Sequence, residues 1–159
     1  MKRAQRYLEY VECAKQEIRT AEHMATVTYE SVNDPKFLLT ILRRVESANL
    51  LVMKAMLAKE ETRENTQKRG RNETYEELFP VWETKYAQEC NKETLQYLQQ
   101  THALLKKHEE SPVEFARRGN IVLCTEEYQL DIISIESIKK SIQLAKNLTK
   151  RVEWGLKRG

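Results

Sequence analysis

The chain has 159 residues, 40% of them hydrophobic and 32% charged, with only four glycines and three prolines. That length suits one domain with a real core, and so few breakers favour long helices over a turn-rich β architecture. The net charge of +3, from 27 basic and 24 acidic residues, demands no anionic partner; a nucleic-acid binder would need its charge sorted onto one face.

Three isolated cysteines, Cys13, Cys90 and Cys124, show no C-x-x-C spacing. Their odd count argues against a closed disulfide framework, and a reducing, cytoplasmic setting is the expectation. Cys13 and Cys124 read as small buried hydrophobes. The first ten residues turn charged at once and carry no signal-peptide core. No apolar run is long enough to span a bilayer, so no membrane is expected.

Helix one is expected from Lys2 to Val32, with Ala4, Tyr7, Leu8, Val11, Ala14, Ile18, Ala21 and Ala25 on one face. The β-branched Thr26-Val27-Thr28 should bend or fray its last turns. Asn33-Asp34-Pro35 ends it, and Asp34 with Pro35 starts the next helix, giving an αα-hairpin. That second helix, Pro35 to Ala58, is the most apolar stretch of the chain. Apolar residues cover most of its circumference, so it should be the central one.

Residues 59–73 hold hardly an apolar side chain and read as a mobile polar loop. Thr74-Tyr75-Glu76-Glu77 fits a capping box, and Pro80 should kink or restart the helix that follows. Asn91 separates it from a helix over Lys92 to Glu109, whose inner face is Leu95, Leu98, His102 and Leu105. Ser111-Pro112-Val113-Glu114 predicts a short helix over Pro112 to Arg118, ended by Gly119. A β-hairpin is expected over 121–133, turning at Thr125-Glu126-Glu127. Ser134 caps the last helix, which has an apolar stripe from Ile135 to Val152 and a lysine-rich opposite side. The fold class is mainly α: one domain over 1–159, an antiparallel bundle of about five helices with a small hairpin before the C-terminal helix.

Chemical constellations are scarce. His23, His102 and His108 are scattered, and no metal, cofactor or nucleotide motif occurs. His102 reads as a core or boundary histidine. Arg117, Arg118, Lys139, Lys140, Lys146, Lys150 and Arg151 are the candidates for an RNA-binding face. Acidic residues interleave with them, which favours an ordinary solvated surface.

Ala48 with Lys54-Ala55-Met56-Leu57-Ala58 late in helix two, and the closing run Ile133 to Lys146, resemble the HEPN superfamily of small prokaryotic helical bundles. The segment Ser111 to Arg118 leading into a Val-Leu-Cys strand is similar to an uncharacterised archaeal HEPN-like group. The resemblance implies a homodimer, or a partner such as a nucleotidyltransferase. HEPN ribonucleases carry an Arg and a His with four to six residues between them, paired across a dimer. Here Arg19 and His23 have three residues between them, so the carry-over implies at most a degenerate nuclease. The expected function is a non-catalytic, self-associating protein-interaction module.

Overall fold

The structure is a computed structural model that describes residues 2–64, 73–110, 113–124 and 130–158. Five long helices and a three-stranded sheet make up the described residues. Helix α1 (Lys2–His23) runs without a break into a π-helical turn (Met24–Thr28) and a last turn α2 (Tyr29–Val32). The wide turn falls on the β-branched residues, where helix propensity is weakest. Asn33 closes the rod in the left-handed region at φ 52°, a conformation that asparagine tolerates better than most residues.

Helix α3 (Phe37–Glu64) is the hub. It packs against α1, α4 (Tyr75–Tyr86), α5 (Lys92–Glu110) and α6 (Ile135–Arg158). Leu38, Ile41, Val45, Ala48, Met53 and Ala55 are fully buried along it. That burial on several sides is what its near-continuous apolar circumference predicts. The helix extends to Glu64, beyond Ala58 and into the stretch expected as loop. Lys, Glu and Arg are good helix formers, and Lys59 Nζ donates to the carbonyls of Gly155 and Leu156 at 3.2 and 3.3 Å, tying this extension to the end of α6. The remainder of that loop, 65–72, lies outside the described residues.

Caps behave as the side chains dictate. Glu77 N–H donates to Thr74 Oγ1 at 3.3 Å, and Thr94 N–H donates to Asn91 Oδ1 at 2.8 Å. Ser134 and Ser137 exchange backbone-to-hydroxyl bonds at 3.1 and 3.2 Å at the head of α6. Helix α4 continues through Pro80 without a restart.

One expected helix is absent. Residues expected to form it make strand β1 (Val113–Arg117), which pairs antiparallel with β2 (Asn120–Cys124). The capping residues Ser111 and Pro112 are outside the described set, as is the expected turn at Thr125–Glu127. An isolated helix of seven residues is marginal, whereas Arg118 (φ 52°) and Gly119 (φ 81°) form a tight two-residue hairpin loop. Strand β3 (Leu130–Ile133) adds to β2, giving the order β1-β2-β3. The predicted hairpin therefore exists as part of a three-stranded sheet.

The sheet's inner face buries Ile121, Leu123 and Ile133 against the helices. Glu114, Leu123 and Asp131 stand in one cross-strand row. Its two carboxylates meet the end of α5: Glu114 Oε2 lies 2.5 Å from His108 Nδ1, and Asp131 Oδ2 2.7 Å from Lys107 Nζ. The hairpin turn is held from the other side, where Tyr29 Oη donates to the Gly119 carbonyl at 3.0 Å. Cys13 is exposed on α1 and Cys124 half-buried, contrary to the expectation that both are core residues; Cys13 falls between the inward positions Val11 and Ala14.

Candidate functional site

Three regions carry polar chemistry or uncovered apolar surface. The first lies where α3, α4 and α5 meet. His102 Nδ1 is 2.6 Å from Glu46 Oε1, and its Nε2 is 3.7 Å from Glu76 Oε1. The imidazole stacks on the Tyr75 ring with centroids 4.3 Å apart, and Lys106 Nζ holds Glu76 at 3.0 Å. Burial raises the Glu46 carboxyl above the ordinary range, with the His102 bond pulling the other way. The hydrogen bond from Lys106 lowers Glu76. Deeper in, Asn49 is only 2% exposed and donates to Tyr97 Oη at 3.0 Å. Burial pushes the phenols of Tyr75 and Tyr97 up, so both stay neutral. This network joins three helices, and His102 is the boundary residue that the sequence suggests.

The second region is the outer face of the sheet. Phe115, Val122 and Ile132 form one cross-strand row, with Leu130 two residues from Ile132 on the same side. Phe115, Leu130 and Ile132 are 41%, 61% and 60% exposed. Val122 between them is 6% exposed yet stands apart from the main core. Both outer edges, β1 and β3, lack a strand partner among the described residues.

The third is the solvent side of α6. Its inward stripe, Ile138, Ile142, Ala145, Leu148, Val152 and Leu156, is buried. Lys139, Lys140, Lys150 and Arg151 are exposed. Trp154, 59% exposed, carries the Arg158 guanidinium 3.8 Å from its ring centroid. The RNA candidates thus separate. Lys146 is committed to Glu22 at 2.6 Å. Arg117 and Arg118 sit at the hairpin turn, on a different element. Trp154 escaped the sequence reading, although its spacing to Arg158, Arg151 and Lys150 places all four on neighbouring turns.

Two grooves flank α6. One, of about 320 Å³, is lined by Met56, Cys90, Leu148, Arg151, Gly155 and others. The second, of about 370 Å³, lies between α5 and α6 over Leu42 and Tyr97, with Gln96, Gln100, Ser137 and Ser141 on its rims. Burial raises the Cys90 thiol, and the nearby Arg151 lowers it less. Arg19 and His23 are both exposed, one turn apart on α1. Among the described residues no three His, Cys, Asp or Glu side chains are grouped to hold a metal ion. No described helix is long and apolar enough to cross a membrane. Compared with models of known protein families, with curated proteins and with solved structures, the chain matches none.

Proposed function

We propose that this chain is a non-catalytic helical interaction module that self-associates through the outer face of its sheet. One observation carries the reading: Phe115, Leu130 and Ile132 are exposed apolar side chains around the buried Val122, on one face of a sheet whose other face is packed. An apolar surface of this kind marks an interaction site. A two-fold contact sets such a patch against its own copy, and it needs no complementary charge to do so. The open edge of β3 offers backbone groups to the same contact. The resemblance to HEPN bundles, whose members pair, points in the same direction.

The test is sedimentation equilibrium of the chain and of two surface variants, Ile132→Asp and Leu130→Asp, with far-ultraviolet dichroism to confirm that each is folded. The wild-type chain should dimerise at micromolar concentration, and either aspartate should leave a folded monomer. A wild-type monomer at concentrations up to about 100 μM, the weak end of specific association, removes the reading.

A further inference from the structure

Helix α6 carries basic residues along its solvent side. Between Ile135 and Arg158 its acids are Glu136, in the first turn, and Glu153. Glu153 is half-buried and already held by Lys15 of α1 and by Lys157. Its carboxyl is lowered chiefly by the Lys15 bond, so it is fixed as a structural anion facing α1. On the solvent side remain Lys139, Lys140, Lys150 and Arg151, none with an ion-pair partner within 4 Å among the described residues, then Trp154 and Arg158. From Lys139 to Arg158 this face runs about 28 Å at the rise of an α-helix.

The aromatic is as informative as the charge. Trp154 is 59% exposed and lies off the buried stripe of α6, on the side that carries the four cations. The Arg158 guanidinium lies over one side of the indole, 3.8 Å from its centroid. Cations that track phosphates, with an aromatic plane on which a base can stack, are the two components of a single-strand platform. Duplex needs no such plane. An anionic membrane would need aliphatic side chains to insert, and the solvent side between Lys139 and Arg158 offers Gln143, Asn147 and Gly155 instead.

We infer that the solvent face of α6 binds a single-stranded phosphodiester chain, with Trp154 stacking on one base and Lys139, Lys140, Lys150 and Arg151 contacting the backbone. Glu60 and Glu89 share a groove with Arg151 and set the strand's path along the helix rather than across that groove. This surface is separate from the sheet face, so it neither needs nor excludes self-association.

The test uses the full chain, with fluorescein-labelled oligo(dT) and oligo(U) followed by anisotropy across a sodium chloride series. Four phosphate contacts predict a slope of log K against log salt of about −3 for a single strand. Trp154→Ala should weaken binding by about 5- to 150-fold at every salt, leaving the slope unchanged. Lys150→Gln with Arg151→Gln should reduce the slope by about 1.4. Trp154 fluorescence should be quenched by either strand, while Trp82, fully buried in α4, should not respond. Either oligonucleotide binding in this way supports the inference, and the tighter one names the natural strand. The inference is overturned by any of four results: no binding at low salt, tighter binding to duplex of equal length, equal or tighter binding to phosphatidylserine vesicles, or indifference to Trp154→Ala. All these substitutions are on the surface, and dichroism distinguishes a lost contact from a lost fold.

Discussion

His102 Nδ1 stands 2.6 Å from Glu46 Oε1, joining α5 to the central helix at the edge of the core. Burial raises the Glu46 carboxyl, so the folded state favours its protonated form. In the unfolded chain the group ionises near the ordinary value of about 4.3. Stability from this residue is therefore present below that value and is lost as pH rises through the raised folded one. Glu46→Gln, which stays neutral, should show no such loss. Urea denaturation at acid and neutral pH is expected to show wild type weakening relative to the glutamine variant as pH rises. The same slope in both proteins would contradict it.

Glu153 works with the opposite sign. Its hydrogen bond to Lys15 lowers the carboxyl and raises Lys15. Its contribution is present above the ordinary carboxylate range and disappears as pH falls through the lowered value. Glu153→Gln should cost about 0.5–1 kcal/mol at neutral pH, as expected for a partly exposed ion pair. Stability measured in the acid limb should bring the two proteins together.

The two described glycines should respond in opposite ways to alanine. A Cβ at Gly155 meets nothing within 4 Å, and the residue lies inside α6. Gly155→Ala should stabilise by about 1 kcal/mol through helix propensity. Gly119 sits at φ +81° in the hairpin loop, so Gly119→Ala should destabilise by about 1 kcal/mol. Thermal melts of the pair give the two signs directly.

Tyr97 and Asn49 form a buried polar pair. Tyr97→Phe leaves the Asn49 amide without that partner and should cost about 1–3 kcal/mol. Asn49→Leu in the Tyr97→Phe background should restore part of the loss, because no buried amide then remains unpaired. A double-mutant cycle by urea denaturation measures the coupling, and strict additivity would refute the pairing.

The helical part of this fold was legible because burial on a helix repeats with its period. α1, α3, α5 and α6 show their buried stripes in the order of their letters, from Val11 and Ala14 to Val152 and Leu156. β1 was hidden for two reasons. Ser111 to Glu114 carries a genuine helix-start pattern, and the pairing of Phe115 with Val122 shows only when the runs on both sides of Arg118-Gly119 are read together. The signal that outweighs the cap is Arg118-Gly119 between two alternating runs. Asn49 was lost among the leucines of α3, since its partner lies 48 residues away. The charged candidates could be listed but not sorted, because only the packing shows that Lys146 is taken by Glu22 while Trp154 is left in solvent.

The π-helical turn at Met24–Thr28 adds about one residue to a turn of the rod, which resets the azimuth of everything after it by about 100°. Tyr29 follows that extra residue, and its phenol donates to the Gly119 carbonyl. Removing a single amino acid there, Val27 for instance, would leave the helix continuous while turning the phenol away from the hairpin. The attachment of the sheet to the first helix is thus encoded by chain length at one point, and an alignment that closes such a one-residue gap would erase it.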